Sequence, residues 1–298
     1  HYPRSFVVRT AASTALLTLA FAATGAEHAP ATHQALGRDL LRELIGIDTT
    51  PDHGNTTAAA EQLAKRFLAA GFDPADVHVL GDNPLKRNLV VRLRGKGERE
   101  PILLLAHLDV VEAKREDWNV DPFVLTEKDG YFYGRGTSDN KAGAAGLVAT
   151  LLRLSEEAFV PRGDYVLALT AGEEDGGDNG VQWLLANRPE LIKAQYALNV
   201  DGGGPEIRNG APAVLSVETA EKVYVSYTLT ARDPGGHSSL PTPGNAIQRL
   251  AQGLSRLASH PFPLHTNSAT RGYYAGLAKL YAGAVADDGE RGEGEAAA

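Results

Sequence analysis

The chain has no cysteine and no methionine. Without cysteine, disulfides, thiolate metal sites and cysteine nucleophiles are excluded. Basic charge is in deficit: 29 Lys and Arg face 37 Asp and Glu, for a formal net charge of −8 and a pI near 5.6. That balance argues against a nucleic acid or an anionic membrane surface as the main partner. No internal repeat is visible, and the longest apolar stretch is short for a membrane span. A dinucleotide fold is a poor fit, because "GRGTSD" (134–139) lacks the Gly-x-Gly-x-x-Gly pattern after a strand.

What is present suits two domains. There are 298 residues, 43% of them hydrophobic, enough for a sizeable core. Arg4 and Arg9 precede the small, apolar stretch "TAASTALLTLAFAATGA", with a cleavage point near Ala26. Residues 1–26 therefore read as a signal peptide, and the protein as periplasmic or secreted. Apolar spacing predicts helices over 34–47 and 56–71, the second stopped by Gly71. "NLVVRLRG" and 102–106 read as two strands of a hairpin. A helix is expected at about 142–156, a strand in "DYVLALTAGEED", a helix in "VQWLLANRPELI" and a strand in "QYALNVDGGG". Strands alternating with helices imply an α/β sheet with crossovers. After about Val217 the character shifts. "KVYVSYTLTAR" alternates like a longer strand, and Thr242 with Pro243 reads as the cap and first position of a helix. The tail "DDGERGEGEAAA" is polar and expected to be loose. The domains are thus expected at 27–217 and 218–298.

Three strand-like runs, "ILLLAHLD", "YVLALTAGEE" and "YALNVD", end in potential ligands. In a parallel α/β sheet such carboxyl ends converge on one edge. His107, Asp109, Glu173, Glu174 and Asp201 are therefore expected to meet, with Asp139 joining them from the Gly-rich segment before a helix. So many carboxylates in one pocket require raised pKa values or cations. A histidine among carboxylates suits Zn²⁺ or another divalent ion. Taken singly, a His-x-Asp is more often a local pair and a Glu-Glu more often a solvated surface. Four acid-bearing segments at strand ends reverse those odds.

"HLD", "GRGTSDNKAG", "AGEED" and "NVDGGG" resemble, in order and spacing, the dinuclear zinc hydrolases that include aminoacylase, glutamate carboxypeptidase and succinyl-diaminopimelate desuccinylase. The match covers roughly 36–257, and "DPGGHSSLP" is similar to that family's lid. The resemblance implies a zinc-exopeptidase-like α/β catalytic domain with a mostly parallel sheet, plus a smaller α+β lid that pairs two copies into a homodimer. It implies two Zn²⁺ per complete site, with Co²⁺ or Mn²⁺ as substitutes. His107 and Asp201 fall on the first ion, Asp139 on both, Glu174 on the second. Asp109 stands behind His107 and fixes its tautomer, Glu173 is the general base, and His237 polarises the scissile carbonyl. Asn245 and Arg249 are substrate-contact candidates, with a solvated helix face the alternative for Arg249.

The family chain also returns from its lid to supply a final histidine and carboxylate-binding groups. Here the sequence runs to Ala298 inside the expected lid, and His260 and His265 read as lid-loop residues. The expectation is an incomplete lid and a second metal site short of a ligand. The leading reading is a hydrolase of amide bonds in dipeptides, peptide C-termini or N-acyl amino acids. The alternative is a non-catalytic metal-binding or interaction fragment.

Overall fold

The structure, a computed structural model, describes residues 30–294 apart from 209, 210, 222, 238, 241 and 242. The expected signal peptide lies outside the described residues. No helix among those described is long and apolar enough to cross a membrane. The described chain forms two compact units, one ending at Ser216 and one starting at Val217.

The first unit opens with α1 (Ala31–Ile45) and α2 (Thr56–Ala69). Asn55 caps α2 by accepting the Ala58 N–H at 2.9 Å, and Gly71 leaves it in the left-handed region at φ 87°. Then come β1 (Val77–Leu80), β2 (Asn88–Leu93), β3 (Ile102–His107) and a small hairpin, β4 (Thr126–Lys128) with β5 (Tyr131–Tyr133). Next are α3 (Lys141–Glu156), β6 (Tyr165–Thr170), α4 (Gly180–Asn187), α5 (Pro189–Ile192) and β7 (Tyr196–Asn199). A second hairpin, β8 (Gly204–Arg208) with β9 (Ala211–Ser216), closes the unit.

The main sheet runs β1-β2-β6-β3-β7. β6, β3 and β7 are parallel neighbours, while β1 and β2 are antiparallel additions. Alternate side chains of β2 and β6 serve two cores, as a period of two demands. Leu89, Val91, Leu167 and Leu169 pack with Leu44, Leu63, Phe67, Val148 and Leu151 from α1, α2 and α3. Val90, Val166 and Ala168 pack with Leu184 and Ile192 from α4 and α5 on the other face.

Three expectations for this unit need correction. β2 and β3 do not form a hairpin, because β6 lies between them. Their connection pairs instead with the lead-in to β6: Lys96 N–H donates to the Pro161 carbonyl and Glu98 N–H to that of Arg162, both at 2.8 Å. That leaves a slot one strand wide between β2 and β3. The helix expected over 181–192 is broken at Arg188, whose φ/ψ of −142°/47° is non-helical. Pro189 follows, and a residue before proline is driven out of the α region. The helix before β6 starts at Lys141, one residue earlier than expected.

The second unit contains α6 (Ala246–Ala258) and α7 (Ser268–Gly294). Residues 223–232 carry no strand. Alternation alone does not make one: a strand needs a hydrogen-bonded neighbour, and no strand is assigned among the described residues of this unit. α6 starts three residues later than Pro243 suggested. Asn245 is its cap, accepting the Gln248 N–H at 3.0 Å, and Thr242 lies outside the described residues. α7 continues into the tail expected to be loose, since extending a formed helix costs less than starting one.

Candidate metal centre

His107 is the last residue of β3, and its register partner on β6 is Thr170. Three residues beyond Thr170 stands Glu173, and two beyond the end of β7 stands Asp201. Parallel pairing of these strands brings the three ends together. Asp139 arrives from the turn that starts α3. That turn passes so close to its own helix that a Cβ on Gly136 would lie 2.8 Å from the Lys141 Cδ, at a φ of 94°. Only glycine suits the position.

His107 is the hub. Its ring is buried, and Nδ1 sits 2.9 Å from the Asp109 carbonyl oxygen. A carbonyl only accepts, so Nδ1 carries the proton and Nε2 is turned to the acids. Nε2 lies 2.9 Å from Asp139 Oδ1, 3.6 Å from Asp201 Oδ1 and 4.0 Å from Glu173 Oε2. Two overlapping donor groups result, His107–Asp139–Glu174 and His107–Glu173–Asp201, each with its ligand atoms within 4.8 Å of one another. Asp109 therefore fixes the tautomer with its main-chain carbonyl. Its carboxylate stands on the same side: Oδ1, buried without a hydrogen-bond partner, lies 3.7 Å from Nδ1, and Oδ2 accepts the Glu174 N–H at 3.0 Å.

The electrostatics are those of a crowded acidic cluster around one imidazole. The His107 imidazole is pushed up to about 10: burial opposes its charge, but the adjacent Asp109 and the charge of Asp201 outweigh it. Asp109 is held below the usual carboxylate range, since His107 and the Glu174 and Glu173 N–H groups together outweigh burial. Glu173 and Glu174 are both raised, first by burial and then by the neighbouring carboxylates, against the pull of His107. The neighbouring lysines are engaged elsewhere. Lys86 pairs with Asp175 at 2.8 Å, and Lys141 donates to the Leu44 and Ile47 carbonyls at 2.8 and 2.7 Å. One imidazole and four carboxylates without a thiolate fit zinc or a similar divalent ion.

Residues 103–282, more than half of the chain, match peptidase family M20/M25/M40. The chain belongs to that family. It is 36% identical over 241 residues to the N-fatty-acyl-amino acid synthase/hydrolase PM20D1 of Bos taurus, covering 76% of this chain and 46% of that protein. A probable succinyl-diaminopimelate desuccinylase of Staphylococcus aureus is 38% identical over 191 residues, covering 62% of this chain and 44% of that one. The chain thus spans less than half the length of these relatives. Human carnosine dipeptidase 1 superposes with a TM-score of 0.51 at 21% identity, over 58% of this chain and 40% of that one, a likeness of fold alone.

Six expected site residues of this M20-family chain thus gather in the first unit: His107, Asp109, Asp139, Glu173, Glu174 and Asp201. His237, Asn245 and Arg249 belong to the second unit, each with local bonds. His237 Nδ1 meets Ser239 Oγ at 2.7 Å, Asn245 caps α6, and Arg249 Nη2 donates to the Arg232 carbonyl at 2.6 Å. Two supporting residues escaped the sequence reading. Lys141, fully buried, ties the start of α3 to the end of α1. Burial drives its ammonium down to about 7, against the charges of Asp48 and Asp109. Its signal was a lysine at the N-terminus of an apolar helix, the wrong end for the dipole. Asn88 is the other, a buried amide opening the apolar strand "NLVV".

Proposed function

We propose that this chain carries the catalytic metal centre of a zinc-dependent hydrolase that cleaves the amide bond of N-acyl amino acids or short peptides. The observation that carries the reading is His107 shared between two carboxylate groups at the ends of parallel strands, in a chain of the M20 family. His107 and Asp201 would hold one ion, Glu174 a second, and Asp139 both; Co²⁺ or Mn²⁺ could replace zinc. When bound, the ions polarise a carbonyl and lower the pKa of a coordinated water. Glu173, half-exposed at the mouth of the cluster, takes the proton of the attacking water and passes it to the departing amine. Asp109 keeps the His107 proton on Nδ1 and Nε2 free for a ligand bond.

His237 is assigned the polarisation of the scissile carbonyl by family resemblance alone. Asn245 and Arg249 are substrate-contact candidates by the same resemblance, beside the local bonds each makes in the second unit. A homodimer formed through the second unit, and export to the periplasm or medium, rest on the resemblance and on the N-terminal pattern. The two sequence relatives are named as a fatty-acyl-amino acid hydrolase and a desuccinylase. That favours acyl amides over dipeptides as the first substrates to test.

Glu173→Gln decides the central role. The variant should keep its bound zinc and lose roughly 10²- to 10⁴-fold in turnover, read by metal analysis and amine release from N-acyl amino acids and dipeptides. Loss of zinc together with activity would make Glu173 a ligand. An unaltered chain that binds no divalent ion would leave a non-catalytic, interaction role in its place.

A further inference from the structure

The loop that carries Glu173 and Glu174 leaves β6 after Thr170 and returns at α4. Its neck is closed by the Gly180 N–H donating to the Ala171 carbonyl at 2.7 Å. The connection between β1 and β2, together with Asn88 at the start of β2, grips this loop and the helix after it at four points. Asn88 Oδ1 accepts the Ala171 N–H at 3.0 Å. Asn83 Nδ2 donates to Asp178 at 2.7 Å, and Lys86 Nζ to Asp175 at 2.8 Å. Trp183 Nε1 donates to Asp82 at 2.8 Å.

Those bonds have unequal settings. Asn83, Lys86 and Trp183 make theirs near solvent, where each alone is worth little. Asn88 is buried, and its Nδ2 donates to the Leu80 carbonyl at 3.2 Å. Its amide therefore spans from the end of β1 to the neck of the loop. A Cβ on Gly180 would come within 1.8 Å of Asn88 Oδ1, so the glycine at the loop's return is fixed by this amide. The connection is itself anchored on α2: Thr57 N–H donates to the Leu85 carbonyl at 3.1 Å, and Arg87 N–H to Thr57 Oγ1 at 3.0 Å.

We infer that the β1–β2 connection is a clamp that positions Glu173 and Glu174, with Asn88 as its buried anchor. Asn88 touches neither acid and is a positioning residue. It sets the direction in which the chain leaves β6, and so where the Glu174 N–H meets Asp109 and where the two carboxylates point. The consequence for metal binding rests on the function proposed above; the geometry of the clamp does not.

Asn88→Ala and Gly180→Ala in the full chain test the clamp. Amide hydrogen exchange needs no metal and reads the loop directly. Both variants should lose protection at Glu174, several residues from either substitution, as well as at Ala171. Zinc affinity of the folded protein, measured well below its melting temperature, should fall about tenfold. Should neither variant fold, Asn83→Ala combined with Lys86→Met, changes at half-buried positions outside the two cores, should still speed Glu174 exchange severalfold. Lowered thermal stability with unchanged Glu174 exchange would overturn the clamp, because purely structural support would act on stability alone. Faster Glu174 exchange in a chain that binds no zinc would uphold the clamp while sinking the proposed function.

Discussion

Along β2 and β6, alternate side chains meet α1, α2 and α3, and those between meet α4 and α5. The row Ile247, Leu250, Leu254 and Leu257 on α6 is as regular, yet no residue of that helix is buried. Val223, Val225, Tyr227 and Leu229 alternate as a strand should, and all four are exposed. Both units thus display patterned sequence, and only the first turns its pattern into a core. A helix closes its own hydrogen bonds and forms where its sequence favours it. A strand has no such independence, so the second unit keeps its helices and not its expected strand.

Truncating one leucine in each unit should break that comparison if it is wrong. Leu63→Ala in α2 should cost about 2–5 kcal/mol, since Leu63 is fully buried. Leu254→Ala on α6 should stay within about 0.5 kcal/mol. Urea unfolding of the two variants gives both numbers. Equal losses would mean that the apolar row of α6 is packed in solution and that the units differ less than they look.

An intermediate effect is expected at Asp164, which accepts the Gly95 N–H at 2.8 Å and pairs with Arg92 at 2.7 Å. Burial pushes its carboxyl up, but these partners outweigh it and hold it below the usual range. A carboxyl lowered by folding stabilises above its unfolded pKa, near 4, and loses that contribution as pH falls through its folded value. Asp164→Asn should therefore cost about 1 kcal/mol at pH 7, after allowance for partial exposure. The two proteins should converge in acid. A gap that persists at pH 2 would trace the loss to packing. Asp233 in the second unit is also held low, by the Ala246 and Gly235 N–H groups. The first unit should show the larger acid sensitivity, because its carboxylate joins strands of a core.

A small, local effect is expected of Asn245→Ala, the cap of α6. It should cost roughly 0.5–1 kcal/mol locally, seen as faster exchange at the Gln248 amide. Zinc affinity should not change. If it did, Asn245 would be more than a cap.

The gathering of His107 and its acids was legible because these residues sit where strands must end. "ILLLAH" and "YVLALT" are too apolar to stop anywhere but at an edge, and parallel strands share that edge. His107, Glu173 and Asp201 could thus be grouped without knowing the strand order. The order itself was not legible: "NLVVRL" and "ILLLAH" are adjacent in sequence and run in opposite directions, as a hairpin would. Nothing local records that residues 165–170 come between them. Asn88 and Lys141 were missed for a related reason. Their value lies in main-chain groups that are distant in sequence, the Ala171 N–H and the Leu44 carbonyl, and side-chain periodicity carries no trace of these. Arg188 was readable after the fact, since the proline beside it explains the break.

The slot between β2 and β3 has a consequence for how the protein is made. During synthesis β2 and β3 leave the ribosome well before β6, the strand that separates them. Until residues 165–170 emerge, both carry an unpaired edge, and joining them early would exclude the central strand. Pairings of such long sequence separation are slow to form and exposed to misassembly. The sheet is therefore expected to assemble late and cooperatively, with α2, β1 and β2, neighbours in sequence and in space, collecting first. Pulse-labelled exchange during refolding should show β3 and β6 gaining protection together, and the His107 cluster coming into being in that same step.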